Sequence, residues 1–120
     1  MKHITDIVAT LFLSREQAHR AHLRTGSLAQ HMALGSFYEA VVDKADTFAE
    51  VAQGTYGKLP EIPYKQPTKG EIDNVLEAHL EMIEDQKANF DKPCDGPLLN
   101  LIDEIGALYA QTLYKLRILR

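Results

Sequence analysis

Apolar side chains recur every three or four positions along nearly the whole chain, and no stretch alternates as a half-buried strand would. The pattern predicts four helices, over about 5–24, 28–53, 69–90 and 97–119. In the first, Ile4, Ile7, Val8, Leu11, Phe12 and Ala18 share one side, with Thr5 as the cap and Asp6 at the positive end of the helix dipole. Thr25-Gly26-Ser27 interrupts the pattern: Gly26 can take the left-handed conformation that ends a helix, and Ser27 with Gln30 reads as the capping box of the next. The second helix carries the seam Leu34, Phe37, Val41, Ala45, Phe48 and Ala52. Thr68 with Glu71 is a further capping box, opening a helix whose apolar side holds Ile72, Val75, Leu76, Met82, Ile83 and Phe90. Asp91 to Gly96 is a turn, and Pro97 suits the first position of the last helix, which runs through Leu98, Ile102, Ile105, Tyr109 and Leu116 to Leu119.

Between the second and third helices lies GTYGKLPEIPYKQP, residues 54–67, with two Gly and three Pro in fourteen positions. Repeated prolines remove backbone donors and force extended geometry, so this is a loop. Extended at about 3.3 Å per residue it reaches roughly 45 Å. The second helix, at 1.5 Å per residue, is roughly 39 Å long. The loop can therefore run the length of the molecule, which predicts an all-α, ferritin-like four-helix bundle with one long crossover between the second and third helices. An up-down bundle with a slack middle loop is the alternative.

Length and charge narrow the function classes. A chain of 120 residues is one domain, 1–120, large enough to bury a core without disulfides. The net charge of −4 argues against a nucleic-acid partner, which needs a basic footprint. The single cysteine, Cys94, excludes an internal disulfide and a Cys-rich zinc site, and fits a reducing compartment. The apolar run Ile7 to Leu13 is too short to span a bilayer and lacks a cleavage pattern, so a cytoplasmic protein without membrane attachment is expected. Nucleophile elbows and phosphate-cradling glycine loops are absent from the sequence. Tyr56 and Tyr64 on the loop could contact a partner or cover the bundle end, and the second is the expectation.

The polar residues carry the remaining information. Glu39, Asp43, Asp46 and Glu50 are spaced four, three and four, which places them on one helix face roughly opposite the seam. The plain reading is a solvated face. His19 and His22 end the first helix and His31 lies in the first turns of the second; with carboxylates they could supply a mixed nitrogen and oxygen site for iron, zinc or manganese. His79 falls on the apolar side of the third helix, where a lone histidine is more often hydrogen-bonded within a core than a ligand. The chain holds one Glu-x-x-His, Glu16 to His19, whereas a carboxylate-bridged di-iron site inside a bundle wants that pair on two helices.

The stretch from Ala18 to Glu50 resembles the Dps-like miniferritins of the ferritin-like superfamily. It matches them in Asp46-Thr47-Phe48-Ala49-Glu50, in the spacing of His31 to that pair, and in a histidine near the end of the first helix, either His19 or His22. The resemblance is closest to short Dps-like proteins of bacteriophages, through His-x-x-His-Leu-x-Thr-x-Ser-x-Ala-x-His, Gly54-Thr55-Tyr56-Gly57 and Ile102-Asp103-Glu104-Ile105. It implies a homo-oligomer, at least a dimer, with iron bound between subunits. His31 and His19 or His22 would come from one subunit, and Asp46 and Glu50 from the other, and the site could oxidise ferrous iron. For a phage-encoded chain it implies the host cytoplasm. Gly35 stands where that family has an acidic residue, with Glu39 one turn further on, and the family's tryptophan is missing. These departures leave an alternative: a non-enzymatic phage accessory or interaction protein that keeps the bundle with a degenerate metal site and binds a host or virion protein.

Overall fold

Lys2–Arg24 form α1, Leu28–Tyr56 form α2, Ile72–Asp85 form α3 and Gly96–Ile118 form α4 in a computed structural model that describes residues 1–119. Short 3-10 turns, Gln86–Asn89 and Pro93–Asp95, link α3 to α4, and no strand occurs among the described residues. The predicted seam of α2, Leu34 through Ala52, is buried throughout. It meets α1 on one side and α4 on the other, while α3 packs on α1 and α4. Phe37 and Tyr109 meet edge to face with ring centres 5.0 Å apart, and Phe48 meets Phe90 at 6.2 Å. Burying each such ring contributes about 1.5–3 kcal/mol.

Contacts between side chains give the helix directions. Lys44 pairs with Glu104, and Tyr56, at the end of α2, bonds Asp95 at the start of α4, so α2 and α4 are antiparallel. Tyr56 therefore does cover a bundle end, whereas Tyr64 is 98% exposed and covers nothing. Arg117, near the end of α4, grips Asp73, Asn74 and Glu77 near the start of α3. Gln86, just past α3, donates to Asp6 near the start of α1 at 3.0 Å. The segment 57–71 lies against α1, where Lys65 pairs with Asp6 at 2.8 Å and Thr68 exchanges two hydrogen bonds with Gln17.

Several local expectations are corrected. The loop is 57–71 rather than 54–67, because α2 continues through Gly54 to Tyr56 and stops at Gly57, whose φ of +93° favours glycine. The third helix starts at Ile72 rather than 69 and ends at Asp85 rather than 90. The Thr68–Glu71 capping box does not form; the Thr68 hydroxyl is taken by His79 and its backbone by Gln17. Thr5 is no cap either, since α1 begins at Lys2, Thr5 bonds back to the Lys2 carbonyl and Asp6 lies beyond the first turn. Gly26 is not left-handed: α1 ends on an extended Thr25, while Ser27 caps α2, accepting from the Gln30 amide at 3.2 Å. The reciprocal half of the expected capping box does not form, because the Ser27 amide donates to the Thr25 hydroxyl and the Gln30 side chain accepts from that hydroxyl. Phe12, placed in the core by its spacing, is 48% exposed and borders Ile62 and Pro63 of the loop.

One polar chain threads the core. Tyr109 of α4 donates to Ser14 of α1 at 2.6 Å, and Ser14 meets Nδ1 of His79 on α3 at 2.7 Å. The other ring nitrogen meets the Thr68 hydroxyl at 2.9 Å. Because Ser14 already accepts from Tyr109, its own proton is free for Nδ1, which leaves Nε2–H to donate to Thr68. His79 is thus the satisfied core histidine expected from its position. Burial first, and the Lys65 ammonium second, hold it neutral, with its pKa lowered to about 4. No buried side-chain polar atom lacks a partner among the described residues.

Candidate metal-binding corner

The corner where α1 turns into α2 gathers all three sequence-predicted histidines, two of them against Tyr38 and the third on His22. Three residues bring the chain back antiparallel, so the last turn of α1 faces the first turns of α2. The His22 and His31 rings stack with centres 3.7 Å apart and planes 17° apart. Nδ1 of His22 lies 2.6 Å from the His31 carbonyl, and Nδ1 of His31 lies 2.8 Å from the His22 carbonyl. His19 instead stacks on Tyr38 at 4.2 Å, while His22 meets the edge of that ring at 5.3 Å. The Arg15 guanidinium sits 5.8 Å from the centre of the Tyr38 ring. His19 and His22 are half-buried and His31 is exposed.

Tyr38 belongs to no motif in the sequence, although its signal is there: it lies seven positions after His31, two helical turns on, and so shares its face. In the sequence Gly35 stands as a lost acidic position, and the structure gives it a different part. A Cβ added there would lie 3.1 Å from Cε1 and 3.3 Å from Nδ1 of His22. That is closer than the ring tolerates without moving.

The carboxylates are not brought to this corner within one chain. Glu39, Asp43, Asp46 and Glu50 are all exposed, and none forms an ion pair among the described residues; Lys44 between them turns to Glu104. Asp46 and Glu50 follow His31 by fifteen and nineteen residues, roughly 22 and 28 Å along the helix. Among the described residues, no group of three or more His, Cys, Asp and Glu side chains is arranged to hold a metal. The donor types, imidazole nitrogen and carboxylate oxygen, suit iron, zinc or manganese, but Asp46 and Glu50 lie too far along the helix from His31 to share a metal with it within one chain.

Fold and corner together define an all-helical, four-helix protein with a histidine cluster at one helical turn-around and an acidic face along the adjoining helix. Residues 22–116 match a family model described as a family of unknown function, DUF5856, and the chain belongs to that family. The matched span includes His22, His31, Glu39, Asp46 and Glu50 and begins after His19. Neither a curated protein nor a solved structure matches the chain. No described helix is long and apolar enough to cross a membrane.

Proposed function

We propose that the protein is a ferritin-like, Dps-like homo-oligomer that binds a transition metal, iron first among them, between subunits. The histidine corner of one copy would face Asp46 and Glu50 of another. The observation that carries this reading is the division of donors: nitrogen ligands cluster at one end of α2, while unpaired carboxylates stand exposed further along it, facing off the chain's own core. The ferritin-like order, with 57–71 as the crossover, is supported by two pairings with α1: Lys65 with Asp6 near one end, and Thr68 with Gln17 nearer the other. Bound ferrous iron would supply one-electron reducing chemistry toward dioxygen or peroxide. The chain's own part is to present donors and keep them apart from the apolar core; Glu39, exposed between the two sets, is the remaining candidate ligand.

Anaerobic titration with ferrous iron, followed by air, tests the reading. Wild type is expected to bind saturably, and Asp46→Ala/Glu50→Ala to lose at least tenfold in affinity with no change in melting temperature, since both side chains are exposed and unpaired. Native mass measurement should find a dimer or larger. A folded wild-type protein without saturable binding, or a monomer at working concentration, removes the metal reading and leaves an interaction protein built on the same bundle.

A further inference from the structure

We infer that His22 and His31 are locked as a reciprocal clasp that presents Nε2 of each ring, and not His19, as the nitrogen donors, with Gly35 as the residue that positions the clasp. This rests on the metal reading above for its ligand, but the clasp itself is a property of the metal-free chain.

A carbonyl oxygen only accepts, so each Nδ1 that meets one must carry the proton. In a neutral imidazole the lone pair then lies on Nε2. The arrangement is reciprocal, so neither ring can switch tautomer without giving up a hydrogen bond to the other residue's backbone. It also serves the fold: α1 ends at Arg24, and the His22 carbonyl is one of its terminal acceptors, which the helix itself cannot satisfy. His31 supplies the missing donor. A histidine that donates one ring nitrogen to a carbonyl has the other oriented and made more basic for a ligand.

His19 has none of this. It lies flat on Tyr38, and neither of its ring nitrogens has a hydrogen bond in the described structure, so nothing selects its tautomer. That distinguishes two histidines which spacing alone leaves equivalent. Gly35 leaves the His22 ring its place in the clasp, because a Cβ there would press on Cε1 and Nδ1 and the ring would have to shift by a few tenths of an ångström. The absent side chain at this position therefore leaves the His22 ring uncrowded.

The test reads tautomers and metal separately. Long-range nitrogen–proton NMR of the imidazoles in the metal-free protein is expected to show His22 and His31 in the Nδ1–H form, and His19 as a mixture. In Gly35→Ala, His22 should lose its single tautomer, and zinc affinity, with zinc as a diamagnetic probe, should fall at least tenfold. His22→Gln and His31→Gln should weaken zinc binding by as much or more, whereas His19→Gln should leave it within about twofold. Nε2–H tautomers in wild type overturn the clasp even where metal still binds, and a Gly35→Ala protein whose His22 is unmoved overturns the positioning role of Gly35. Correct tautomers without any zinc or ferrous binding overturn the donor assignment and the metal reading together. Should Gly35→Ala fail to fold, the contrast between His22→Gln and His19→Gln decides the assignment alone.

Discussion

Ser14→Ala is expected to destabilise the protein by about 3 kcal/mol, and Tyr109→Phe by only about 1 kcal/mol. Both substitutions act on one buried chain, but they leave different things behind. Without the Ser14 hydroxyl, the Tyr109 phenol and the His79 Nδ1 each lose their partner in a place where Ser14, His79 and Tyr109 are all inaccessible to water. Two stranded polar groups at about 1–3 kcal/mol each set the larger figure. Without the Tyr109 hydroxyl, Ser14 still donates to His79 and the ring still fills its place against Phe37. Urea unfolding at pH 7, followed by circular dichroism, measures both. Equal costs for the two variants would mean that Ser14 is not the hub of the chain.

Stability should also fall by about 3 kcal/mol between pH 6.5 and pH 4 through His79 alone. Its ordinary value of 6.5 applies to the unfolded chain, and burial lowers it to about 4 in the folded one. As pH falls through this window the unfolded state takes up the proton first, so the stabilisation present above 6.5 is lost progressively down to about 4. Asp73 and Glu77 are held below their ordinary 3.8 and 4.5. For Asp73, hydrogen bonds from Arg117 and the Asn74 amide outweigh its partial burial; for Glu77 the Arg117 hydrogen bond is the main cause. Both therefore add their own acid loss mainly below the His79 window. His3 is lowered too, by partial burial first, but it is common to wild type and variant. His79→Gln, which keeps a donor and an acceptor without a titrating group, should flatten the pH dependence across 4–6.5. A variant whose slope matches wild type would assign the window to other groups.

Much of the fold is legible in the sequence because helices are written locally. The seam from Leu34 to Ala52, the Ser27 cap and Pro97 in the first turn of α4 all follow from spacing and turn chemistry. What failed was decided by distant contacts. Thr68 looks like a cap until Gln17, fifty-one positions away, and His79 claim it. Phe12 follows the core spacing, but lies in the outward strip of α1 beside the loop. The candidate site was half legible. The three histidines do converge, since a short turn between two helices guarantees it, but the carboxylates cannot join them within one chain. Gly35 reads as a loss in one dimension, and only the position of the His22 ring shows what the empty space holds.

The buried chain through Ser14 also has a consequence in time. It ties Ser14 to partners sixty-five and ninety-five positions away, whereas α1 and α2 meet across a three-residue turn. The α1–α2 hairpin is cheap to form early, but the chain can close only after α3 and α4 have docked. Interactions made after the transition state act on the way out rather than on the way in. Losing Ser14 should therefore leave refolding nearly as fast as in wild type and speed unfolding roughly a hundredfold, as stopped-flow mixing would show. On this account the hydroxyl is a brake on escape: it determines how long the folded molecule lasts far more than how quickly it is reached.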